Sequence, residues 1–516
     1  MIKTMWALLL GALPTLLYAQ PNNAGKVLEF TQSPLISVLG AAESEFGVEF
    51  SYSGDRIPLD TLLTFSYTGN SFPEFMNELA NSAGISYAII AGQTVLSKEM
   101  AISGNESLLV SGRVLDLESN EPMSYASVSL SGKAIGTVTN EDGYFDFYIG
   151  SEHWEDSVIV SSVGYGRMAT AVKDLIKPDL VLFMKMKPFV LDNVIVMDQK
   201  LTAKEIVMKA FESIPQNFPM SWHSFQGFFR ETYEEDGETV FLVDAAVDIG
   251  DRGYKLIKRN RSKLQEQVRL NNVRASIGHF RSPYKEYFFQ FNFLTYALLE
   301  NIIKYRNPDI ESLWSGYDFT LDSVVYADES VHYVVSNTVD TDSHFSKDTY
   351  YIDAASFGIK RRAYEDYAKG GAALHEWRFE HEPDYVYRVG KRSVVYEFEM
   401  FADKMYLKYI HGEFDADIYN ISSDSSVWSL KTKEMLIVTA VNAGKIKIKR
   451  RDRMLFDVSL NLQSQAYDPD FWDNYDQVKL VPLTADQLED LQRESSLNSQ
   501  FLETSLRARS LSSWGR

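Results

Sequence analysis

The apolar residues of 34–47 recur three and four positions apart, which is the spacing of one face of an amphipathic helix. Ser33 and Pro34 stand where an N-cap and a first helical residue are expected. Gly47 follows the last apolar position, where a left-handed residue commonly ends a helix. The pattern therefore predicts one capped helix between two strands.

The same pattern occurs a second time over 71–84. Ser71 and Glu74 have the spacing of a capping box, and Gly84 follows the apolar run. Segments rich in β-branched and aromatic residues flank both helices, so 26–98 is predicted to contain a strand–helix–strand unit that occurs twice.

Residues 26–98 resemble the STN domain, a short periplasmic module of secretins and TonB-dependent receptors, in "PLISVLGAAESEFGVEFSYS" and "SFPEFMNELANSAGISYAI". The resemblance implies a module without catalytic residues that docks to partners at the outer membrane. Burial of the apolar face of the second helix would turn its polar face outward. We expect that face to bind an envelope protein, through Glu74, Asn77, Glu78 and Asn81. The alternative is a spacer module.

Short strands separated by turn residues follow over 109–187, with apolar residues at period two, which predicts a small antiparallel β-sandwich. We interpret "TNEDGYF" (139–145) as a hairpin turn, because a calcium loop would place Val138 and Ile149 at ligand positions. The block resembles the carboxypeptidase regulatory-like fold, which implies an accessory module without catalysis. The resemblance rests on Gly112, Asp116, Glu121, Pro122, Ala126, Val128, Gly136, Thr137, Asp142, Gly143, Tyr144, Phe145, Gly164 and Tyr165.

Residues 188–200 are expected to be a linker or a last strand. Within them, 191–196 ("LDNVIV") is similar to the TonB box that follows this sandwich in TonB-dependent receptors. A β-prone segment of this kind can add to the edge of a partner's sheet.

The block 201–516 is predicted to be a large β-rich domain with a few helices. Thr202 opens a helix with a capping box, Asp236 and Gly237 form a hairpin turn, and a second helix is expected at about 293–305. Thr484, with Gln487 at capping-box spacing, opens a further helix. The later strands alternate apolar and polar residues, which predicts an antiparallel sheet with one wet face. On this pattern the residues facing inward are Val394, Tyr396, Phe398, Met400, Met405, Leu407, Tyr409, Ile446 and Ile448.

Block 201–516 resembles an uncharacterised family of exported Gram-negative proteins, in "GFFRE" (227–231), "LVDAAVDI" (242–249) and "DPDFWDNY" (468–475). This resemblance implies the architecture of the block and does not imply an activity. The segment "DTYYIDAASFGIKRRAYE" (348–365) is similar to a strand–turn–strand unit of the periplasmic half-barrel carriers of lipoproteins.

Composition narrows the function classes. The 516 residues carry a net charge of −20, which disfavours non-specific binding to nucleic acid and to anionic lipid. Residues 1–19 have the pattern of a cleaved signal peptide, and no later run predicts a transmembrane helix. The chain has no cysteine, which suits an exported protein. We therefore expect a location in the periplasm or at the inner face of the outer membrane.

The sequence predicts no catalytic, cofactor-binding or metal-binding residue. None of the eight histidines has the H-x-x-E or H-E-x-x-H spacing of a zinc enzyme. His375 and His381 in "HEWRFEH" are predicted to share a strand face too far apart for one metal. The basic stripe at 445–453, "KIKIKRRDR", is either a solvated sheet face or a peripheral contact with anionic groups of the outer membrane.

Together these features predict a multidomain α+β protein: a βαβ-repeat STN-like domain, an antiparallel sandwich and a large β-rich domain. The predicted function is that of a non-enzymatic adaptor or binding protein, related by its N-terminal modules to TonB-dependent systems. The alternatives are an envelope-polymer hydrolase with an unrecognised site in 201–516 and a receptor fragment that has lost its barrel.

Overall fold

The computed structural model describes residues 26–48, 50–51, 59–69, 71–83, 85–90, 93–98, 107–133, 135–162, 164–177, 180–186, 201–257, 263–284, 291–307, 309, 314–327, 330–463, 467–473, 475, 482–493 and 495–512. The chain divides into two compact units, 1–106 and 107–516. The predicted signal peptide and the TonB-box-like segment 191–196 lie outside the described residues.

The described part of the first unit contains two helices and two small sheets. Its elements are β1 Lys26–Pro34, α1 Leu35–Phe46, β2 Phe50–Ser51, β3 Leu62–Gly69, α2 Phe72–Ala83, β4 Ile85–Ile90 and β5 Gln93–Lys98. Strands β1 and β3 pair antiparallel, while β5 pairs with β4 antiparallel and with β2 parallel. Both helices bury their apolar faces in one core with these strands.

Helix α1 ends as predicted and begins differently. Gly47 adopts a φ of 67° and its N–H bonds to the carbonyl of Glu43 at 3.0 Å. At the other end Pro34 is the N-cap, and no side chain caps the helix. The Ser33 hydroxyl bonds to the Thr31 carbonyl instead, because Ser33 still belongs to β1. The predicted Ser33 cap is therefore wrong.

The second unit begins with a β-sandwich. Its strands are β6 Ser107–Asp116, β7 Ser127–Leu130, β8 Gly136–Val138, β9 Tyr144–Gly150, β10 Ser157–Ser161, β11 Met168–Ala171 and β12 Leu180–Met184. One sheet has the order β11-β10-β7-β8 and the other β12-β6-β9. The pair β12–β6 is parallel, whereas an antiparallel sandwich was predicted. The prediction is therefore wrong for this pair.

The turn in "TNEDGYF" exists, but it does not close a hairpin. Gly143 has a φ of 78° and donates to the carbonyl of Asn140 at 3.0 Å. The strand before this turn, β8, lies in one sheet and the strand after it, β9, lies in the other. The turn therefore carries the chain across the sandwich, a distinction that turn chemistry alone does not make.

The rest of this unit is built on one large antiparallel sheet. Eleven strands of the described chain form it: β13 His223–Glu235, β14 Glu238–Asp251, β15 Gln267–Ile277, β16 Phe319–Ala327, β17 Ser330–Asp340, β18 His344–Asp353, β19 Ile359–Ala368, β20 His375–Arg378, β21 Tyr385–Phe401, β22 Lys404–Asn420 and β23 Ser425–Asn442. Their order is β15-β14-β13-β23-β22-β21-β19-β18-β17-β16, and β20 pairs with β21 beyond the end of β19.

Within the described ranges six helices accompany this sheet: α3 Ala203–Glu212, α4 Ile214–Asn217, α5 Phe293–Leu299, α6 Pro469–Asp473, α7 Ala485–Gln492 and α8 Leu497–Ser512. The predicted capping boxes of α3 at Thr202 and of α7 at Thr484 are confirmed. Helix α5 ends at Leu299, six residues before the predicted end, and a series of turns follows it.

The inner face of the sheet, defined here as the face that packs on α3 and α5, forms one continuous core with these helices. The outer face contacts the sandwich, α7 and α8. The prediction of one wet face is therefore wrong over much of the sheet. Tyr409, predicted to face inward, packs on the outer face with Val138 of the sandwich, whereas Met400 at a strand end is exposed.

The predicted strand at 445–453 is absent; the structure has an irregular segment that ends in a short 3-10 turn at Arg450–Asp452. Ile448 is nevertheless buried and the flanking lysines are exposed, as the alternation indicated. Among the helices of the described ranges, none is both long enough and apolar enough to cross a membrane.

Candidate functional site

A cleft of about 240 Å³ opens between α5 and strands β20 to β23. Its volume lies just below the range of about 300–1,000 Å³ that is usual for small-molecule pockets. Most of the described residues that line it are aromatic: Tyr284, Phe291, Phe293, Tyr296, Glu300, His375, Trp377, Phe379, Tyr387, Val389, Arg392, Phe414 and Thr432. The lining suits an apolar ligand.

The segment "HEWRFEH" forms one wall of this cleft. Strand β20 pairs Trp377 with Tyr387, and the two rings lie 5.2 Å apart. His375 stacks on Trp377 at 5.9 Å, whereas His381 lies beyond the end of the strand. The prediction that both histidines share one strand face is therefore wrong. The aromatic residues of this motif, rather than its histidines, shape the site.

The opposite wall comes from helix α5 and the residues before it. Phe293 packs edge-on against Phe414 with ring centroids 6.0 Å apart. The Tyr396 hydroxyl donates to the carbonyl of Ala297 at 2.9 Å, which fixes the helix to β21. The buried Asn292 caps the helix by accepting from the Thr295 N–H at 3.0 Å. The cleft therefore has walls fixed by hydrogen bonds and ring contacts.

One cation, Arg392, lies in the aromatic lining. It forms an ion pair with Glu300, and its guanidinium lies 5.5 Å from the centroid of the Phe414 ring. Its Nε is buried and has no hydrogen-bond partner within the described part of the chain. Burial lowers the pKa of Arg392 below its ordinary value. A buried donor without a partner is costly, and a small rotation of the partly exposed guanidinium would relieve that cost by turning this N–H toward a ligand oxygen.

Two carboxyl groups face each other beneath the cleft. Glu231 on β13 pairs directly with Glu434 on β23, and both are almost fully buried. Neighbouring Gly412 leaves room for Glu434, since a Cβ there would lie 2.6 Å from its Oε1. Neither carboxyl oxygen of Glu434 has a partner in the described ranges.

Burial is the main cause that raises the pKa of both carboxyls to about 8, and for Glu434 the charge of Glu231 adds to it. Raised carboxyl pKa values are common in glycosidase sites. Here, however, neither group lines the cleft, and burial keeps both from a substrate. The pair does not support the hydrolase alternative.

The sandwich contacts the outer face of the sheet opposite this region. Lys433 of β23 forms ion pairs with Glu141 of the sandwich at 2.9 Å and with Glu234 of β13 at 3.1 Å. The Tyr125 ring lies 4.2 Å from that of His411 on β22. Strand β23 therefore carries Glu434 on its inner face and the preceding residue, Lys433, against the sandwich.

Of the four predicted partner-binding residues, the structure describes one side chain. Glu78 is exposed on α2. The side chains of Glu74, Asn77 and Asn81 lie outside the described part of the structure. The next residue after Glu78, Leu79, is buried in the core of the first unit. The docking surface remains a prediction.

Neither Arg392 nor Glu434 was predicted as a functional residue from the sequence. A signal for Arg392 was present, because the alternation that places Val394 and Tyr396 inward also places Arg392 inward. A charged residue at an inward position is unusual and indicates a special role. The residues of the cleft walls could not be paired from sequence, because they are far apart in the chain.

Residues 110–196 match the family model described as a CarboxypepD_reg-like domain. This match supports the sandwich and covers a minor part of the chain. The comparison with curated proteins finds no match.

Two solved structures show distant similarity. One is a domain described as an outer membrane lipoprotein-sorting protein from Vibrio parahaemolyticus, 9% identical, covering 49% of this chain and 97% of that chain, with a TM-score of 0.24. The other is lipovitellin, 8% identical, covering 46% of this chain and 27% of that chain, with a TM-score of 0.22. At these scores neither similarity bears on the fold or the function.

Proposed function

We propose that this chain is a non-enzymatic binding protein of the cell envelope whose large sheet holds an acyl-chain lipid in the aromatic cleft. The observation that carries this proposal is an apolar cleft with one cation, Arg392, whose buried Nε–H has no partner in the described ranges. The predicted signal peptide and the regulatory-like segment, an accessory module in its family, support the envelope location and the absence of catalysis.

The aromatic lining favours a chain of methylene groups. Each methylene removed from water contributes about 0.8 kcal/mol. Trp377 and Tyr296 are the large exposed rings of the lining, so they stand where a chain would enter. Phe379 and Tyr387 lie deeper and are buried. The graded exposure from rim to floor suits a linear apolar ligand.

Arg392 would bind the polar end of that ligand. Its Nε–H can donate to a carboxylate or ester oxygen, and hydrogen bonds from a charged donor are stronger than neutral ones. Glu300 already compensates part of the charge, so the ligand need not be fully ionised. An acyl group with an acceptor oxygen at its head satisfies both the apolar walls and the arginine.

Binding of a dansyl-labelled fatty acid to the mature chain tests this proposal. We expect dansyl fluorescence to rise on binding and the dissociation constant to increase about tenfold or more in Trp377→Ala and Arg392→Met. Trp154→Ala is the matched control, since this tryptophan of the sandwich is 41% exposed and Trp377 is 43% exposed. Equal affinity in all four proteins would refute the cleft as the site.

A second proposal concerns the first unit as a docking module, favoured by the exposure of Glu78 beside the buried Leu79. Replacing Glu74 and Glu78 by Lys should weaken capture of an envelope protein without unfolding the unit, since α2 keeps its apolar face. Leu79→Asp should unfold the unit instead. If the variant with both charges reversed captures the envelope protein as well as the parent does, α2 does not dock a partner and the unit is a spacer module.

A further inference from the structure

The segment 445–457, called here the basic loop, is a concentrated positive surface on a chain whose net charge is −20. Six exposed cationic side chains belong to it, together with the carboxylates Asp452 and Asp457: Lys445, Lys447, Lys449, Arg450, Arg451 and Arg453. Asp452 pairs with Arg451 at 3.4 Å. The loop therefore keeps a positive excess that can attract an anionic surface.

The same loop exposes two large apolar side chains. Leu455 is 57% exposed and its neighbour Phe456 is 56% exposed. Met454, immediately before them, is buried, and its N–H donates to the carbonyl of Val268 at 2.8 Å. The loop is thus anchored to β15 next to the exposed pair.

A second anchor follows the exposed pair. The Gln463 side chain accepts from the Leu455 N–H at 2.6 Å and donates to the Leu455 carbonyl at 2.7 Å. The fold therefore holds Leu455 and Phe456 outward with hydrogen bonds on both sides, although exposure of apolar surface is unfavourable in water.

The basic loop is joined to the lip of the cleft through Asn292. This residue lies between Phe291 and Phe293 of the cleft wall. Its Nδ2 donates to the carbonyls of Leu455 and Val458, both at 3.0 Å. Asn292 also caps helix α5. One buried side chain therefore connects the exposed apolar pair with the helix that lines the cleft.

We propose that the basic loop docks on an anionic lipid bilayer and inserts Leu455 and Phe456 among the acyl chains, which brings the cleft lip to the membrane. Cations beside exposed apolar side chains match a surface with anionic headgroups over a hydrocarbon layer. An acidic protein or a nucleic acid would engage the cations and leave the apolar pair in water. The inference rests on the proposed function for the cargo, since the loop would admit an acyl chain to the cleft.

Co-sedimentation of the mature full-length chain with lipid vesicles tests the docking. We expect binding to vesicles containing phosphatidylglycerol, weak binding to pure phosphatidylcholine, and a decrease at high salt. The double variant Leu455→Ser/Phe456→Ser should lower the partition coefficient about tenfold. Arg450→Glu/Arg451→Glu should lower it at least as much.

The sandwich offers a matched control, because Ile176 is 55% exposed and lies between the exposed Lys173 and Lys177. The variant Lys173→Glu/Ile176→Ser/Lys177→Glu should bind vesicles like the parent. Equal loss in this control, or binding that is indifferent to phosphatidylglycerol, would overturn the proposal. Undiminished binding by Leu455→Ser/Phe456→Ser, with competition by soluble polyphosphate, would assign the loop to a soluble polyanion and would also overturn it.

Two readouts separate this inference from the proposed cleft. Trp377→Ala should lose binding of the dansyl fatty acid and keep binding to vesicles. Leu455→Ser/Phe456→Ser should keep fatty-acid binding in solution and lose transfer of the fatty acid from vesicles. Transfer at the parent rate by the loop variant would show that the loop does not serve the cleft. A Trp placed as Phe456→Trp should shift its emission to shorter wavelength on vesicles, and an unchanged spectrum would refute insertion.

Discussion

Two clusters of opposite charges lie on the inner side of the same sheet and differ in how deeply they are buried and how completely they are paired. In the first, the Lys304 ammonium contacts Asp251 at 2.6 Å and Glu266 at 2.5 Å. The Gly253 N–H donates to Asp251 and the Tyr305 hydroxyl to Glu266. Burial alone would lower the pKa of Lys304, but these two carboxylates raise it above the ordinary value.

In the second cluster, Arg392 has an ion pair with Glu300, yet its Nε has no partner within the described chain. No residue of the first cluster is among the described lining residues of the cleft, whereas Arg392 and Glu300 line it. Buried polar groups nearly always have hydrogen-bond partners. A buried donor without one, in a residue that lines a cleft, therefore indicates a binding position for a ligand atom. Charge in a core is thus a poor guide to function, whereas unfilled hydrogen-bonding capacity is a better one.

The largest effect is expected from a substitution that disrupts the first cluster. Lys304→Met leaves Asp251 and Glu266 buried without their cation, which should cost about 3–5 kcal/mol in the free energy of unfolding. Arg392→Met should cost about 1 kcal/mol or less, because its ion pair is partly exposed. Urea unfolding followed by tryptophan fluorescence measures both, and apart from Trp6 every tryptophan lies in the second unit. Equal losses would show that the two clusters do not differ as described.

A smaller effect concerns pH and the pair Glu231–Glu434. In the folded state burial raises the pKa of both carboxyls to about 8, from an ordinary value of 4.5. The folded protein therefore binds these protons more tightly than the unfolded chain. Their stabilising contribution is complete below pH 4.5 and is lost as the pH rises through about 8.

We expect a loss of several kcal/mol in unfolding free energy across this window. Glu434→Gln should flatten the profile, whereas Glu121→Gln, at an exposed site of the sandwich, should leave it unchanged. A parent protein that gains stability between pH 5 and 8 would contradict the assignment of raised pKa values to this pair.

The smallest effect is expected at the second cluster, where it tests the role of Glu300. Glu300→Gln releases Arg392 from its ion pair, so the affinity for a carboxylate ligand should rise about two- to fivefold. Stability should change by about 0.5 kcal/mol or less, since both side chains are partly exposed. Titration with the dansyl fatty acid measures the change, and the corresponding methyl ester is the control that should show less gain. A decrease in affinity would mean that Glu300 itself binds the head of the ligand.

Local signals in the sequence predicted many of the elements that position the site. Thr202 and Thr484 each cap a helix as their spacing indicated, because a capping box needs only four consecutive residues. Asp236 and Gly237 form the predicted two-residue turn, and both have positive φ. The cleft could not be predicted in the same way, since Trp377, Tyr387 and Phe293 meet through a fold that brings together separate parts of the chain.

What the sequence determined by itself is therefore the set of local rules: where helices are capped, where turns form, and which strands alternate apolar and polar residues. The tertiary structure decided which face each residue occupies. An extra residue in β22, Lys408, shifts the register against β21 between Glu397 and Phe398. Leu407 consequently faces the inner core while Tyr409 faces the sandwich. A bulge moves the side chains beyond it to the opposite face of the sheet. The alternation of apolar and polar residues within one strand does not specify where pairing with a neighbouring strand will place a bulge.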